Sequence, residues 1–72
     1  MLEQNIYILI GERIKSIREN IGLTQQQVSD ECDFEKSTIS RIESGRTNIT
    51  IKNLYKLSKA LGVKIKDLVD VE

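Results

Sequence analysis

Between Lys36 and Ser44 the chain sets Lys36, Ser37, Thr38, Ser40, Arg41 and Ser44, hydroxyls and cations, at intervals that a helix would gather. At roughly 100° per residue, Ile39 and Ile42 define one side of that helix. Ser37, Arg41 and Ser44 fall opposite, Ser40, Thr38 and Lys36 flank them, and Glu35 and Glu43 turn back towards the apolar side. Such a face offers donors for base edges and phosphates, side chains short enough for close approach, and no carboxylate turned towards phosphate. Taken alone, the face fits a solvated helix surface equally well.

Other chemistry is poorly provided for. The chain has no histidine and so no imidazole base. Its one cysteine, Cys32, falls on an apolar stripe with no base partner nearby in sequence, and a core thiol is the expectation. There is no Gly-rich phosphate loop and no metal-ligand spacing. The sequence therefore predicts no enzyme, no cofactor and no metal.

The formal net charge is zero, with 11 basic and 11 acidic residues. The distribution is uneven. Residues 35–66 hold eight basic residues (Lys36, Arg41, Arg46, Lys52, Lys56, Lys59, Lys64, Lys66) against Glu35 and Glu43, whereas most of the acids lie before Glu35 or in the tail at Asp67, Asp70 and Glu72. A phosphate backbone responds to the local patch rather than to the total. For Lys52, Lys56 and Lys59, solvation of a helix face is at least as good a reading.

The elements that must position these residues are all helical. Ile10, Ile14, Ile17 and Ile21 recur at helical spacing, as do Ile51, Leu54, Leu57 and Leu61. Gly22, Gly45 and Gly62 fall just past such stripes, where a left-handed residue ends a helix. Gly11 sits early in the first stripe, where it would permit two helices to approach closely. Thr24 with Gln27 reads as a capping box, and Thr50 caps the helix that begins at Ile51. Five helices are predicted, at about 7–21, 25–32, 36–44, 51–61 and 65–70. Helices two and three are separated only by Asp33-Phe34-Glu35, with Val28, Cys32, Ile39 and Ile42 facing the core and Phe34 inserted between them. A turn that tight makes the two helices cross steeply, as in a helix-turn-helix over about 25–44.

Several stretches together resemble the Cro- and lambda-repressor-like helix-turn-helix family. They are Ile10 to Arg18, Gly22-Leu23-Thr24-Gln25, Ser37-Thr38-Ile39-Ser40-Arg41-Ile42-Glu43-Ser44-Gly45, and Leu54 to Gly62. The resemblance runs from about Ile10 to Leu68. It implies a compact all-α, five-helix DNA-binding domain over 1–72 whose third helix enters the major groove. It implies that Gln25 contacts a phosphate at the start of helix two. It further implies that Lys36, Ser37, Ser40 and Arg41 read bases and backbone, that Arg46, Thr47 and Asn48 meet the phosphate backbone, and that Arg18 and Glu43 form a structural ion pair. Arg18 and Glu43 each border an apolar stripe with opposite charge, which fits such a pair. Four residues depart from the family pattern: Ser29 for a small apolar residue, Asp33 for the turn glycine, Ile49 for a proline, and Lys64 for a serine cap. The Asn48-Ile49-Thr50 segment is similar to that of controller proteins in restriction–modification systems.

The expected function is sequence-specific binding of double-stranded DNA by a transcriptional regulator, repressor or controller. The alternative is a protein-interaction module, an antitoxin or adaptor on the same fold. A homodimer on a pseudo-palindromic operator is expected, because one such helix covers few base pairs. Candidate dimer residues are Ile65, Leu68, Val69 and Val71, two of which would serve the monomer's own core, with Tyr55 and Leu2, Ile6 or Tyr7. No apolar run could span a bilayer, and Met1 to Gln4 carry no basic lead into an apolar stretch. The cytoplasm is the expected compartment.

Overall fold

A computed structural model describes residues 5–72, and every regular element among them is an α-helix. In order these are α1 (Ile6–Ile21), α2 (Gln25–Cys32), α3 (Thr38–Ser44), α4 (Ile51–Leu61) and α5 (Ile65–Leu68). The five-helix expectation holds, with two ends corrected. Lys36 and Ser37 lie in a turn ahead of α3, not on it. The Thr38 N–H donates to the Glu35 carbonyl at 3.0 Å, and the first α-helical bond runs from the Arg41 N–H to the Ser37 carbonyl at 3.1 Å. Glu35 is thereby off the helix and exposed, rather than turned to the buried side. At the other end α5 stops at Leu68, because Val69 has left helical geometry with φ −108° and ψ 12°.

The helix ends show why the chain breaks where it does. Thr24 Oγ1 accepts from the Gln27 N–H at 3.1 Å, while the Thr24 N–H donates to Gln27 Oε1 at 2.8 Å. Two amides that no helical carbonyl could serve are satisfied reciprocally. Thr50 does half of this for α4 through the Asn53 N–H. At α5 the N-cap is Lys64, which has no side-chain acceptor; the cap consists of the Lys64 N–H donating to Asp67 Oδ2 at 3.0 Å. Asp33 takes the left-handed conformation at the end of α2, with φ +57°. Aspartate tolerates that region better than most residues.

The core is Ile10, Ile14, Val28, Cys32, Ile39, Ile42, Leu54, Leu57, Leu61 and Leu68. Phe34 is half-buried against it, with the Lys56 ammonium 5.8 Å from its ring centre. Ile51 departs from its stripe and is 72% exposed. On the α4 wheel it lies roughly 90° from the mean direction of Leu54, Leu57 and Leu61, so only those three point inward. Ile21, beside the C-cap Gly22, is also half exposed. Ser29 fits the space between helices, but its buried Oγ has no hydrogen-bond partner among the described residues.

Helix α1 packs chiefly on α3, and α2 on α4. Gly11 makes the first contact possible: a Cβ there would strike the Ile42 carbonyl oxygen and lie 2.7 Å from that of Glu43. Arg13 Nε donates to the Asp67 carbonyl at 2.8 Å, tying α1 to α5.

Candidate nucleic-acid interface

The short turn holds α3 against α2, and α1 supports α3 through close backbone contact at Gly11. Ile39 and Ile42 anchor α3 in the core. That fixes which residues look outward. Arg41 and Ser44 are exposed, and Thr38 and Ser40 are half-buried at the margins. Lys36 and Ser37 are exposed in the turn that leads in. Along the rim, Ser44 Oγ donates to the Arg41 carbonyl at 3.1 Å and accepts from Arg46 Nε at 2.9 Å. Arg46 and Asn48 are exposed, with Thr47 half-buried between them. Their loop is seated on α1: Gly45 has φ +74°, and a Cβ there would lie 2.6 Å from Ile8 Cα. Only glycine meets both demands.

The carboxylate on α3 points the other way. Glu43 is 6% exposed and Arg18 7%. Arg18 Nε donates to Glu43 Oε2 at 2.6 Å and Arg18 Nη2 to Glu43 Oε1 at 3.0 Å, a two-pronged contact. Arg18 Nη1 donates to the Leu23 carbonyl at 2.8 Å. The hydrogen bonds to Glu43 raise the Arg18 guanidinium above its ordinary value against the opposing effect of burial, so it stays charged. Outward, α3 therefore shows a cation and hydroxyls, while its one negative charge is buried and neutralised.

Gln25 is held rather than free. Its Nε2 donates to Glu43 Oε1 at 2.9 Å, so it joins the buried pair although it lies at the start of α2. No local sequence pattern signals this bond, which joins residues 18 apart on separate helices. The same is true of the Arg13 bond to Asp67, across 54 residues. The expected site residues thus fall into two groups: Lys36, Ser37, Ser40, Arg41, Arg46, Thr47 and Asn48 on α3 and its flanking turns, and Gln25 with Arg18 and Glu43 behind. Burial raises the Cys32 thiol above its ordinary pKa, which disfavours the thiolate. Among the described residues no cluster of His, Cys, Asp or Glu could hold a metal ion, and no helix is long and apolar enough to cross a membrane.

Residues 14–68, from the middle of α1 to the end of α5, match the model of the helix-turn-helix family. The chain belongs to the helix-turn-helix family. Control protein C.BamHI of Bacillus amyloliquefaciens is 40% identical over 70 residues, spanning 96% of this chain and 86% of that protein. An HTH-type transcriptional regulator of Sinorhizobium fredii, y4dJ, is 39% identical over 61 residues, 85% of this chain and 79% of its own length. The crystal structure of the restriction–modification controller protein C.AhdI from Aeromonas hydrophila superposes with a TM-score of 0.84 at 26% identity, over 86% of this chain and 94% of that one. In this member of the helix-turn-helix family, α2 and α3 are the two helices joined by the short turn and packed together.

Proposed function

We propose that this chain, a DNA-binding transcriptional regulator of the helix-turn-helix family, lays α3 in the major groove and acts as a homodimer on a pseudo-palindromic operator. The observation that carries the reading is the polarity of α3: Arg41 faces out, and Glu43 is buried against Arg18. A helix entering a groove walled by phosphates needs that arrangement. In this reading Arg41, with Ser37, Ser40 and Lys36, reads base edges and nearby backbone. Arg46, Thr47, Asn48 and Gln25 contact phosphates. Nothing in this role calls for catalysis. Likeness to a control protein and to a restriction–modification controller favours the controller branch over other regulators. The proposed compartment is the cytoplasm, where an operator is reached without crossing a membrane.

Arg41→Ala is expected to cost about 1–3 kcal/mol of operator affinity and to change sequence preference. Arg46→Ala is expected to weaken operator and random duplex alike and to flatten the plot of log affinity against log salt by about one. Fluorescence anisotropy on both duplexes at several salt concentrations measures each. An unchanged ratio of operator to random binding in Arg41→Ala would remove Arg41 from base reading.

Two copies with their recognition helices about 34 Å apart would match one DNA turn. The apolar surface available to a second copy differs from the expected one. Leu68 is fully buried in the monomer's own core, and Ile65 and Val71 pack against it. Leu2 lies outside the described residues. Tyr55 is 52% exposed, Val69 40% and Ile6 38%, and Tyr7 is half-buried. Val69→Asp is the variant that leaves the core intact, whereas Leu68→Asp would unfold the chain. Sedimentation at micromolar concentration is expected to show a wild-type dimer that Val69→Asp weakens. A wild-type monomer that fills two half-sites independently would refute the dimer.

A further inference from the structure

Ser44 belongs to neither group of expected site residues, yet it joins two of them. Its hydroxyl donates to the Arg41 carbonyl at 3.1 Å and accepts from Arg46 Nε at 2.9 Å. These two bonds can run in one sense only. A carbonyl only accepts and a guanidinium only donates, so the hydroxyl hydrogen goes to Arg41 and a lone pair to Arg46. The backbone of Arg46 is tied to the same carbonyl, through its N–H at 3.0 Å. Just before it, the left-handed Gly45 lies close against Ile8 of α1. Ser44 and Arg46 are both exposed, and a long exposed cation ordinarily samples many rotamers. Here its main chain and its side chain are both held to the last turn of α3. Only Nε is used, for neither Nη group of Arg46 makes a hydrogen bond among the described residues. The remaining end of the guanidinium is a planar fork made of donors alone, with no acceptor atom to set against a phosphate.

We propose that Ser44 is a positioning residue for DNA binding: it holds the Arg46 guanidinium by Nε and so leaves the two Nη groups ordered to receive a phosphate. The inference rests on the proposed role of Arg46 as a phosphate contact. A side chain ordered before binding loses less entropy when it binds. Through the shared carbonyl, the residue proposed to read bases and the residue proposed to grip the backbone are fixed to one helix end. Direct contact of the Ser44 hydroxyl with a phosphate is the competing role. It would need the hydrogen that Ser44 gives to Arg41.

A double-mutant cycle on operator affinity tests this, using Ser44→Ala, Arg46→Ala and the two combined. Ser44 is exposed and alanine is a good helix former, so Ser44→Ala should fold. It should weaken binding roughly two- to tenfold, the scale of ordering one long side chain at an interface. It should leave the plot of log affinity against log salt unchanged in slope, because no charge is removed. In the Arg46→Ala background it should cost nothing more. A loss of the same size in both backgrounds would overturn the proposal, since Ser44 would then act without Arg46. If Arg46→Ala neither weakens binding nor flattens the salt plot, the phosphate contact fails and the positioning role with it. If Arg46→Ala behaves as expected while the two losses multiply, only the positioning role fails. Nitrogen-15 relaxation at Arg46 Nε in the free protein, assigned with Arg46→Ala, gives a second readout. Arg41 is the internal reference, since its guanidinium makes no hydrogen bond among the described residues. Arg46 Nε should be more ordered than Arg41 Nε in the wild type and equally mobile in Ser44→Ala. Equal mobility in the wild type would refute the hold on Arg46.

Discussion

Arg18→Met is expected to cost about 3–5 kcal/mol of folding stability, because it strands the Glu43 carboxylate in a site only 6% exposed. Among the described residues, Gln25 Nε2 would remain its one side-chain partner. A domain of this size has a total stability at the low end of about 5–15 kcal/mol, so much of the population would unfold near physiological temperature. Adding Glu43→Leu should restore part of the loss, since a buried pair replaced by apolar groups is often near neutral. Urea unfolding of wild type, both single variants and the double gives the coupling. Purely additive losses would show that the pair stabilises nothing jointly.

Gly11→Ala should produce a comparable defect by a different route. The new Cβ would meet backbone carbonyl oxygens of Ile42 and Glu43, the latter at 2.7 Å. These atoms belong to α3 and cannot swing aside as the tip of a side chain would. Alanine gains about 1 kcal/mol over glycine in helix propensity, but overpacking of this kind costs about 1–3 kcal/mol and sometimes more. The expected net result is a lower urea midpoint and weaker operator binding, because α3 must move away from α1. Gly22→Ala is the comparison. Among the described residues a Cβ there would meet nothing within 4 Å, so the change suffers from its left-handed backbone, φ +90°. If Gly11→Ala stabilises the protein, the backbones of α1 and α3 are not in close contact.

The parts of the molecule legible in the sequence are those encoded locally. Thr24 with Gln27, Thr50, and glycines at 22, 45 and 62 mark helix ends because caps act within one turn. Ile10, Ile14, Leu54, Leu57 and Leu61 mark core faces because burial follows helical period. Ile51 misleads because an apolar residue at the edge of a stripe costs little when exposed. Lys36 and Ser37 look helical because nothing in their types distinguishes a first helical turn from the turn before it. Leu68 looks available to a dimer surface, since its neighbours give no sign of which residue of a four-residue helix faces in. The outward face of Arg41 and Ser44 follows from the wheel, whereas the pairing of Arg18 with Glu43 draws on the family resemblance. The bond from Gln25 to Glu43 is out of reach, because no short-range pattern joins α2 to α3 there.

The bond from Arg13 to the Asp67 carbonyl has a consequence for chain topology. It closes a loop of 54 residues, more than twice the 25 between Arg18 and Glu43. Closure entropy grows only with the logarithm of loop length, and each doubling adds about 0.6 kcal/mol. One hydrogen bond contributes about 1 kcal/mol net, enough to offset the extra closure. Distance along the chain thus weighs little on the stability of this clasp and more on the folding rate. Contacts far apart in sequence must find each other before they contribute anything, and the contact of α5 with α1 is of that kind, whereas its contact with α4 is local.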